Sequence, residues 1–142
     1  MSETFHRCRH FTIEELVDQR TVERFGQNAW MLLNPNALRA LDDLRDFFDR
    51  GVTVNNWKWG GRFRNRALRI GNHAIGAEYS QHRLGNAFDC DVRGMSAEQA
   101  RQAILTNKDH PLLQRITCIE AGVNWLHFDC RNIADRIRIV NP

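Results

Sequence analysis

The sequence predicts an α+β fold in which a small antiparallel sheet packs against helices. Three segments open with helix N-terminal caps, two of them followed by apolar residues at helical spacing, and five shorter segments have the alternation or the β-branched and aromatic content of strands. Two of these strands are joined by a short turn, which favours antiparallel pairing with helices on one side. At 142 residues the chain is long enough for one hydrophobic core, so we predict a single domain over residues 1–142.

The helices are predicted from caps and periodicity. Thr12–Glu15 has the sequence TIEE, a capping box that opens a first helix. Asn34–Asn36 breaks the chain and caps the most regular helix, ALRALDDLRDFFDR, which we expect to end before Gly51. Ser96–Gln99 is a second capping box and opens the helix SAEQARQAILTN.

The strands are predicted from alternation and from turn residues at their ends. They are Val52–Trp59, Ala87–Val92, Gln114–Glu120, Asn124–Arg131 and Ile137–Val140. The segment from Arg62 to Glu78 has neither period and contains glycines, so we predict a loop that borders the functional site.

Composition excludes several classes of protein. A hydrophobic content of 42%, a charged content of 26% and a net charge of +3 are ordinary for a soluble globular protein. No apolar run approaches the roughly 20 residues of a membrane span. The N-terminus lacks the apolar segment of a secretory signal, so we expect synthesis in the cytoplasm without export. The four cysteines show no CxxC spacing and are expected to be thiols, mostly buried.

Two stretches, YSQHRLGNAFDCDV and NWLHFDC, carry the residues of a metal site. A loop can bring His82 back over the strand that holds Asp89, and His127 lies in a second strand. Two imidazoles and one carboxylate give three protein ligands and leave a position for water, which is typical of a catalytic zinc site. Taken singly, the three residues could be a loop histidine, a turn cap and a hydrogen-bonded strand histidine. Their joint occurrence favours the metal.

These stretches also resemble a known family. The first fits S-x-H-x-x-G-x-A-x-D and the second fits W-x-H-x-D, in the order found in zinc D,D-/L,D-peptidases, which cut bacterial cell-wall peptides. That family includes D-alanyl-D-alanine carboxypeptidases and phage endolysins, and the hedgehog signalling domain is similar in fold. The resemblance runs from about Val52 to Asn132. It implies a hedgehog-like α+β fold, bound Zn²⁺ and hydrolysis of peptidoglycan peptides. The matching residues are Ser80, His82, Gly85, Ala87 and Asp89, then Trp125, His127 and Asp129.

Two residues are candidates for the general base. The resemblance implies a Glu three positions before the final His, but Asn124 stands there, and the nearest Glu is Glu120. A two-residue turn at Gly122-Val123 would place Glu120 opposite Trp125, diagonal to His127 at roughly 7–8 Å and on the same face. A turn one residue longer would point it away.

Asp129 is the second candidate base. It lies two residues after His127 and therefore on the same face of the strand. It can take the proton itself, orient the imidazole from behind, or be a solvated residue at the strand end.

Substrate contacts are predicted in the loop before the first motif. The resemblance implies an Arg that holds a substrate carboxylate, because a guanidinium matches that group with two hydrogen bonds. We favour Arg69 and then Arg62, with a solvated basic loop as the alternative. Ser80 and Gln81 are predicted to contact the site or the substrate, or to cap the loop. The candidate arginines of this loop are Arg62, Arg64, Arg66 and Arg69.

The sequence therefore predicts a zinc metallopeptidase, carboxypeptidase or endopeptidase, that hydrolyses amide bonds in peptidoglycan stem peptides. We expect a monomer that reaches the cell wall by release or delivery, as in phage lysis or a phage tail. The alternative, suggested by Asn124, is a zinc-stabilised cell-wall-binding or structural module without catalysis. A single-stranded nucleic-acid groove at Trp57–Arg69 is disfavoured by the small net charge, so neither nucleic acid nor membrane is an expected partner.

Overall fold

Three helices and a five-stranded sheet make up the described part of the computed structural model, which covers residues 5–70 and 80–141. The predicted α+β class is confirmed. None of the helices in these residues is long and apolar enough to cross a membrane. The helices are α1 (Gln19–Phe25), α2 (Pro35–Phe48) and α3 (Ala97–Thr106). The strands are β1 (Val52–Thr53), β2 (Ala87–Val92), β3 (Cys118–Glu120), β4 (Leu126–Asp129) and β5 (Arg138–Val140).

The sheet is mostly antiparallel, with the strand order β1-β2-β4-β3-β5. The first four strands pair antiparallel, as predicted, whereas β5 runs parallel to β3. The exception follows from the path of the chain. After β4 the chain returns along the outer edge of β3, in the direction opposite to β4. Because β3 is itself antiparallel to β4, β5 is parallel to β3.

The two faces of the sheet differ in chemistry because side chains alternate along each strand. One face of the central strands carries Phe88, Phe128 and Ile119, which are buried in the hydrophobic core together with the apolar sides of the helices. The other face carries acidic and histidine side chains. The sheet thus separates the core from the polar site.

The longest helix, α2, forms as the sequence indicates. The Asn34 side chain accepts a hydrogen bond from the backbone N–H of Asn36 at 2.8 Å, and Pro35 occupies the first turn. Leu38, Leu41 and related apolar residues are fully buried on its inner side. The helix ends at a left-handed Asp49, before Gly51 as predicted.

Two predicted elements are shorter in the structure. The capping box at residues 12–15 opens a single 3-10 turn, and an α-helix starts again after Asp18. The strand predicted over Val52–Trp59 stops at Thr53 because the next residues bind a loop instead. Asn55 and Asn56 accept hydrogen bonds through their side chains from backbone N–H groups of residues 66 and 63, each at 2.9 Å.

All four cysteines are free thiols, as predicted, and two of them are fully buried. Burial raises the pKa of Cys118 to about 11 and that of Cys130 to about 12, and it also raises the pKa values of Cys8 and Cys90. Because the thiolate is the reactive form, alkylation of Cys118 at about pH 8 should be on the order of 100-fold slower in the native than in the unfolded protein. Mass spectrometry of iodoacetamide-treated samples measures this. Equal rates in both states would contradict the burial.

Candidate metal centre and active site

The site is built on one row of residues across the three central strands. Asp89 on β2 lies directly opposite His127 on β4, and His127 lies directly opposite Glu120 on β3. Facing positions on neighbouring strands hold their Cβ atoms about 4.5–5.5 Å apart. The sheet alone therefore brings two acids and one imidazole together on the polar face.

A turn at residues 80–86 delivers the second histidine. It is held by backbone hydrogen bonds from Arg83 to Ser80 at 3.0 Å and from Asn86 to Gln81 at 2.9 Å. Gly85 has a φ of +67° and approaches the chain before α2, where the Asn34 N–H donates to its carbonyl at 2.9 Å. His82 is consequently placed over the start of β2, as the sequence predicted.

Replacing Gly85 by Ala should destabilise the fold more than the same change at Gly60. Both glycines have positive φ, but a Cβ at Gly85 would lie 2.6 Å from the Leu32 carbonyl oxygen, whereas one at Gly60 would meet nothing within 4 Å. The conformational cost alone is about 1 kcal/mol, and the clash should bring Gly85→Ala above about 2 kcal/mol. Denaturant unfolding of both variants tests this. Equal losses of stability in the two variants would show that a Cβ at residue 85 does not clash with the Leu32 carbonyl oxygen.

Three buried side chains point potential ligand atoms at one spot. The ligand atoms of His82, Asp89 and His127 all lie within 4.8 Å of one another. Asp89 Oδ1 is 3.3 Å from His82 Nε2 and 2.8 Å from His127 Nδ1. The three residues are only 3–5% exposed. Two imidazole nitrogens and one carboxylate oxygen form the donor set of a three-ligand metal site.

The far nitrogen of each imidazole is already occupied. His82 Nδ1 lies 2.8 Å from the carbonyl oxygen of Ala67, so it donates a hydrogen there. His127 Nε2 lies 2.8 Å from Asp129 Oδ2, which also accepts a hydrogen. When both imidazoles are neutral, these contacts leave His82 Nε2 and His127 Nδ1 as the lone-pair nitrogens. Such outer contacts fix the tautomer and orientation of metal-binding histidines.

The site as it stands attracts a positive charge. Burial opposes protonation of His127, yet its hydrogen bonds with Asp129 and Asp89 raise its pKa to about 9. Burial likewise opposes ionisation of Asp89, but hydrogen bonds with His127 and His82 hold the pKa of that carboxyl well below its usual value. The carboxylates of Asp89 and Asp129 thus favour a proton on His127. A divalent cation would replace it.

Glu120 lies next to the three-residue cluster, although its predicted register was wrong. We expected Glu120 opposite Trp125 across a two-residue turn, whereas the five-residue connection 121–125 places it opposite His127. A shift by an even number of residues keeps a side chain on its face. The Glu120 Oε2 atom is 3.6 Å from His127 Nδ1, and the side chain is 21% exposed.

Asp129, the other candidate base, is fully buried with both oxygens engaged. Arg131 holds the two oxygens through Nε and Nη2 at 2.8 and 2.7 Å, and His127 Nε2 contacts the second of them. Burial raises the pKa of Asp129, but the hydrogen bonds with Arg131 and His127 lower it by more, so the pKa lies below its ordinary value. An acid in this position orients His127 from behind.

A cleft of about 610 Å³ borders the cluster through Asp89. Arg62 and Arg69 both line it, together with Asn124 and Trp125 from the β3–β4 connection. Arg69 Nη2 is 3.1 Å from Asp89 Oδ2, and burial lowers the pKa of Arg69. The described part of the predicted loop, residues 62–70, is therefore a wall of the site. Its remainder, up to Glu78, lies outside the described residues.

Ser80 and Gln81 use their side chains inside the turn. The Ser80 hydroxyl accepts a hydrogen bond from the His82 N–H at 3.2 Å, and Gln81 Oε1 accepts one from Asn86 Nδ2 at 2.7 Å. Both contacts cap the turn. Contact of either residue with substrate stays a prediction.

The sequence model of the family described as Peptidase M15 matches residues 9–129. That range contains the whole row across the sheet and the turn with His82. The chain belongs to the peptidase M15 family. Comparison with curated proteins and with solved structures produced no match. Membership makes the protein a peptidase, and the cluster of two histidines and one aspartate is compatible with the metal chemistry of that family.

Two contributors to the M15 site were not anticipated. Arg131 lies two residues beyond the matched range, and its only sequence signal is the same-face spacing from Asp129 at the end of a strand. The Ala67 carbonyl that holds His82 carries no side-chain signal at all.

Proposed function

We propose that this M15 peptidase uses zinc to hydrolyse amide bonds in peptidoglycan stem peptides. The observation that carries the proposal is the convergence of His82, Asp89 and His127 on one spot, with Glu120 beside them. Because the three residues come from a turn and two strands, the arrangement depends on the whole fold. A chance surface grouping would have neither the burial nor the outer contacts.

The donor set fits zinc. Nε2 of His82, Nδ1 of His127 and a carboxylate oxygen of Asp89 would hold the ion, since zinc accepts both nitrogen and oxygen ligands and needs its histidines neutral. The two outer acceptors keep the required lone pairs directed inward. Zinc bound there would acidify a water and polarise the scissile carbonyl.

Glu120 is the proposed general base. Its carboxylate is partly exposed and lies beside the cluster, so it can accept a proton from an attacking water and pass it to the leaving amine. Asp129 is a poor alternative because it is inaccessible and its oxygens already accept hydrogens from Arg131 and His127. We assign Asp129 to orientation of the imidazole.

The basic wall of the cleft supports a substrate with a carboxylate. Arg62 is exposed and stacks on Phe63, and it makes no ion pair within residues 5–70 and 80–141, so its fork stays available to an anion. Arg69 is paired with Asp89, nearer to the reacting centre. We propose that both arginines bind a carboxylate of the substrate, Arg69 close to the metal ligands and Arg62 farther out in the cleft. Stem peptides carry such carboxylates.

The setting of the reaction follows from the substrate. A peptidase for stem peptides must meet the cell wall, so we propose that the protein acts after release or delivery, as in phage lysis or a tail-associated role. We propose a monomer without nucleic-acid or membrane partners.

Incubation with purified sacculi tests the proposal. The zinc-loaded protein should release peptide fragments or terminal residues that mass spectrometry identifies, and a chelator should abolish release until zinc is restored. Sedimentation with sacculi and no released products would instead favour the non-catalytic binding module.

A further inference from the structure

The buried carboxylate of Asp129, which contacts His127, is also held by one arginine. Arg131 Nε lies 2.8 Å from Oδ1 and Nη2 lies 2.7 Å from Oδ2, so the guanidinium grips both oxygens. The backbone N–H of Arg131 adds a third contact to Oδ1 at 3.2 Å. Together with the His127 contact to Oδ2 at 2.8 Å, these bonds engage both oxygens of the carboxylate.

Arg131 is itself anchored to the sheet. The Thr117 hydroxyl donates to the Arg131 carbonyl at 2.7 Å, and the Thr117 N–H donates to the Asp129 carbonyl at 3.0 Å. The arginine side chain remains 27% exposed, whereas Asp129 is fully buried. The chain of contacts thus runs from a partly exposed cation, through a buried acid, to the imidazole.

We infer that Arg131 is a positioning residue for the metal ligand His127. By fixing Asp129, it keeps the hydrogen of His127 on Nε2 and turns Nδ1 toward Asp89 and the proposed ion. The planar fork explains the choice of arginine, since a lysine ammonium could not hold both oxygens in one plane. This inference rests on zinc binding under the proposed function.

The direction in which zinc affinity changes on Arg131→Gln distinguishes a positioning role from a purely electrostatic one. Arg131 is a cation near a metal site, so loss of its charge alone would tighten zinc binding. Loss of an outer contact that orients a ligand typically weakens metal binding by about 10- to 100-fold. We expect Arg131→Gln to weaken zinc binding about tenfold, and Arg131→Lys to weaken it less, because one of the contacts can survive.

Chelator competition on purified protein measures zinc affinity directly, without reference to activity. Arg115→Gln is the matched control, because Arg115 pairs with Asp43 on the surface at 3.1 Å and should leave affinity unchanged. In protein that already carries Asp129→Ala, adding Arg131→Gln should change affinity by less than about twofold, since the two residues act as one unit.

Tighter zinc binding by Arg131→Gln, or an equal loss with and without Asp129, would overturn the inference. If Asp129→Ala fails to fold, the inference is still tested by whether Arg131→Gln weakens zinc binding and whether Arg131→Lys has an intermediate zinc affinity. Wild-type protein without zinc affinity would instead refute the proposed function. The two failures are therefore distinguishable.

Discussion

Replacing Glu120 by Gln should lower the rate of peptide hydrolysis by about 10²- to 10⁴-fold, the usual contribution of a general base. The amide keeps the size of the side chain and its place opposite His127, but it cannot accept the proton. Zinc content and substrate affinity should stay near those of the wild type. Turnover of a stem-peptide substrate, measured together with zinc analysis, separates the chemical step from metal binding.

Glu23→Gln is the control for this variant, because Glu23 lies exposed on α1. Its activity should match that of the wild type. Full activity of Glu120→Gln would contradict the role of Glu120 and return the proton transfer to another group. If Asp129 were the base, Asp129→Asn would lose activity at saturating zinc while Glu120→Gln would not.

Replacing His127 by Ala should remove stoichiometric zinc and activity together. His127 contributes one of three ligand atoms, so its loss should cost more than the roughly 10- to 100-fold in affinity that follows from changing an outer contact. The variant should also lose the rise in unfolding temperature that zinc gives to the wild type, because a ligand stabilises only the state that binds it.

His10→Ala is the matched control, since His10 pairs with Asp46 on the surface at 2.7 Å. Circular dichroism should show that both variants are folded. His82→Ala gives an independent check, because His82 lies in a different element, the turn before β2. Retention of one tightly bound zinc by both folded single variants would refute the three-ligand site.

Much of this fold could be predicted from local signals. The bounds of β2 match the alternation of Ala87–Val92, and α2 and α3 begin at the caps that Asn34 and Ser96 provide. In each case residues next to one another in the chain determine the outcome. The three clustered side chains could be named for the same reason, because their spacing within two short motifs identifies them.

The parts that could not be predicted depend on distant contacts. The register of Glu120 depends on how the connection 121–125 folds, and its five residues allow several pairings. The end of β1 depends on Asn55 binding a loop eleven positions later. The hydrogen bonds of Arg131 with Asp129 depend on how the chain leaves β4, because Arg131 lies beyond the end of that strand and same-face spacing alone does not fix its contacts.

Anomalous diffraction at the zinc absorption edge, on crystals of protein purified with zinc, measures the position of the ion itself. We expect one strong peak bonded to His82 Nε2, His127 Nδ1 and an Asp89 oxygen, at about 2.0–2.2 Å from each. A peak elsewhere, or none at full zinc loading in solution, would show that these three residues do not form the metal centre.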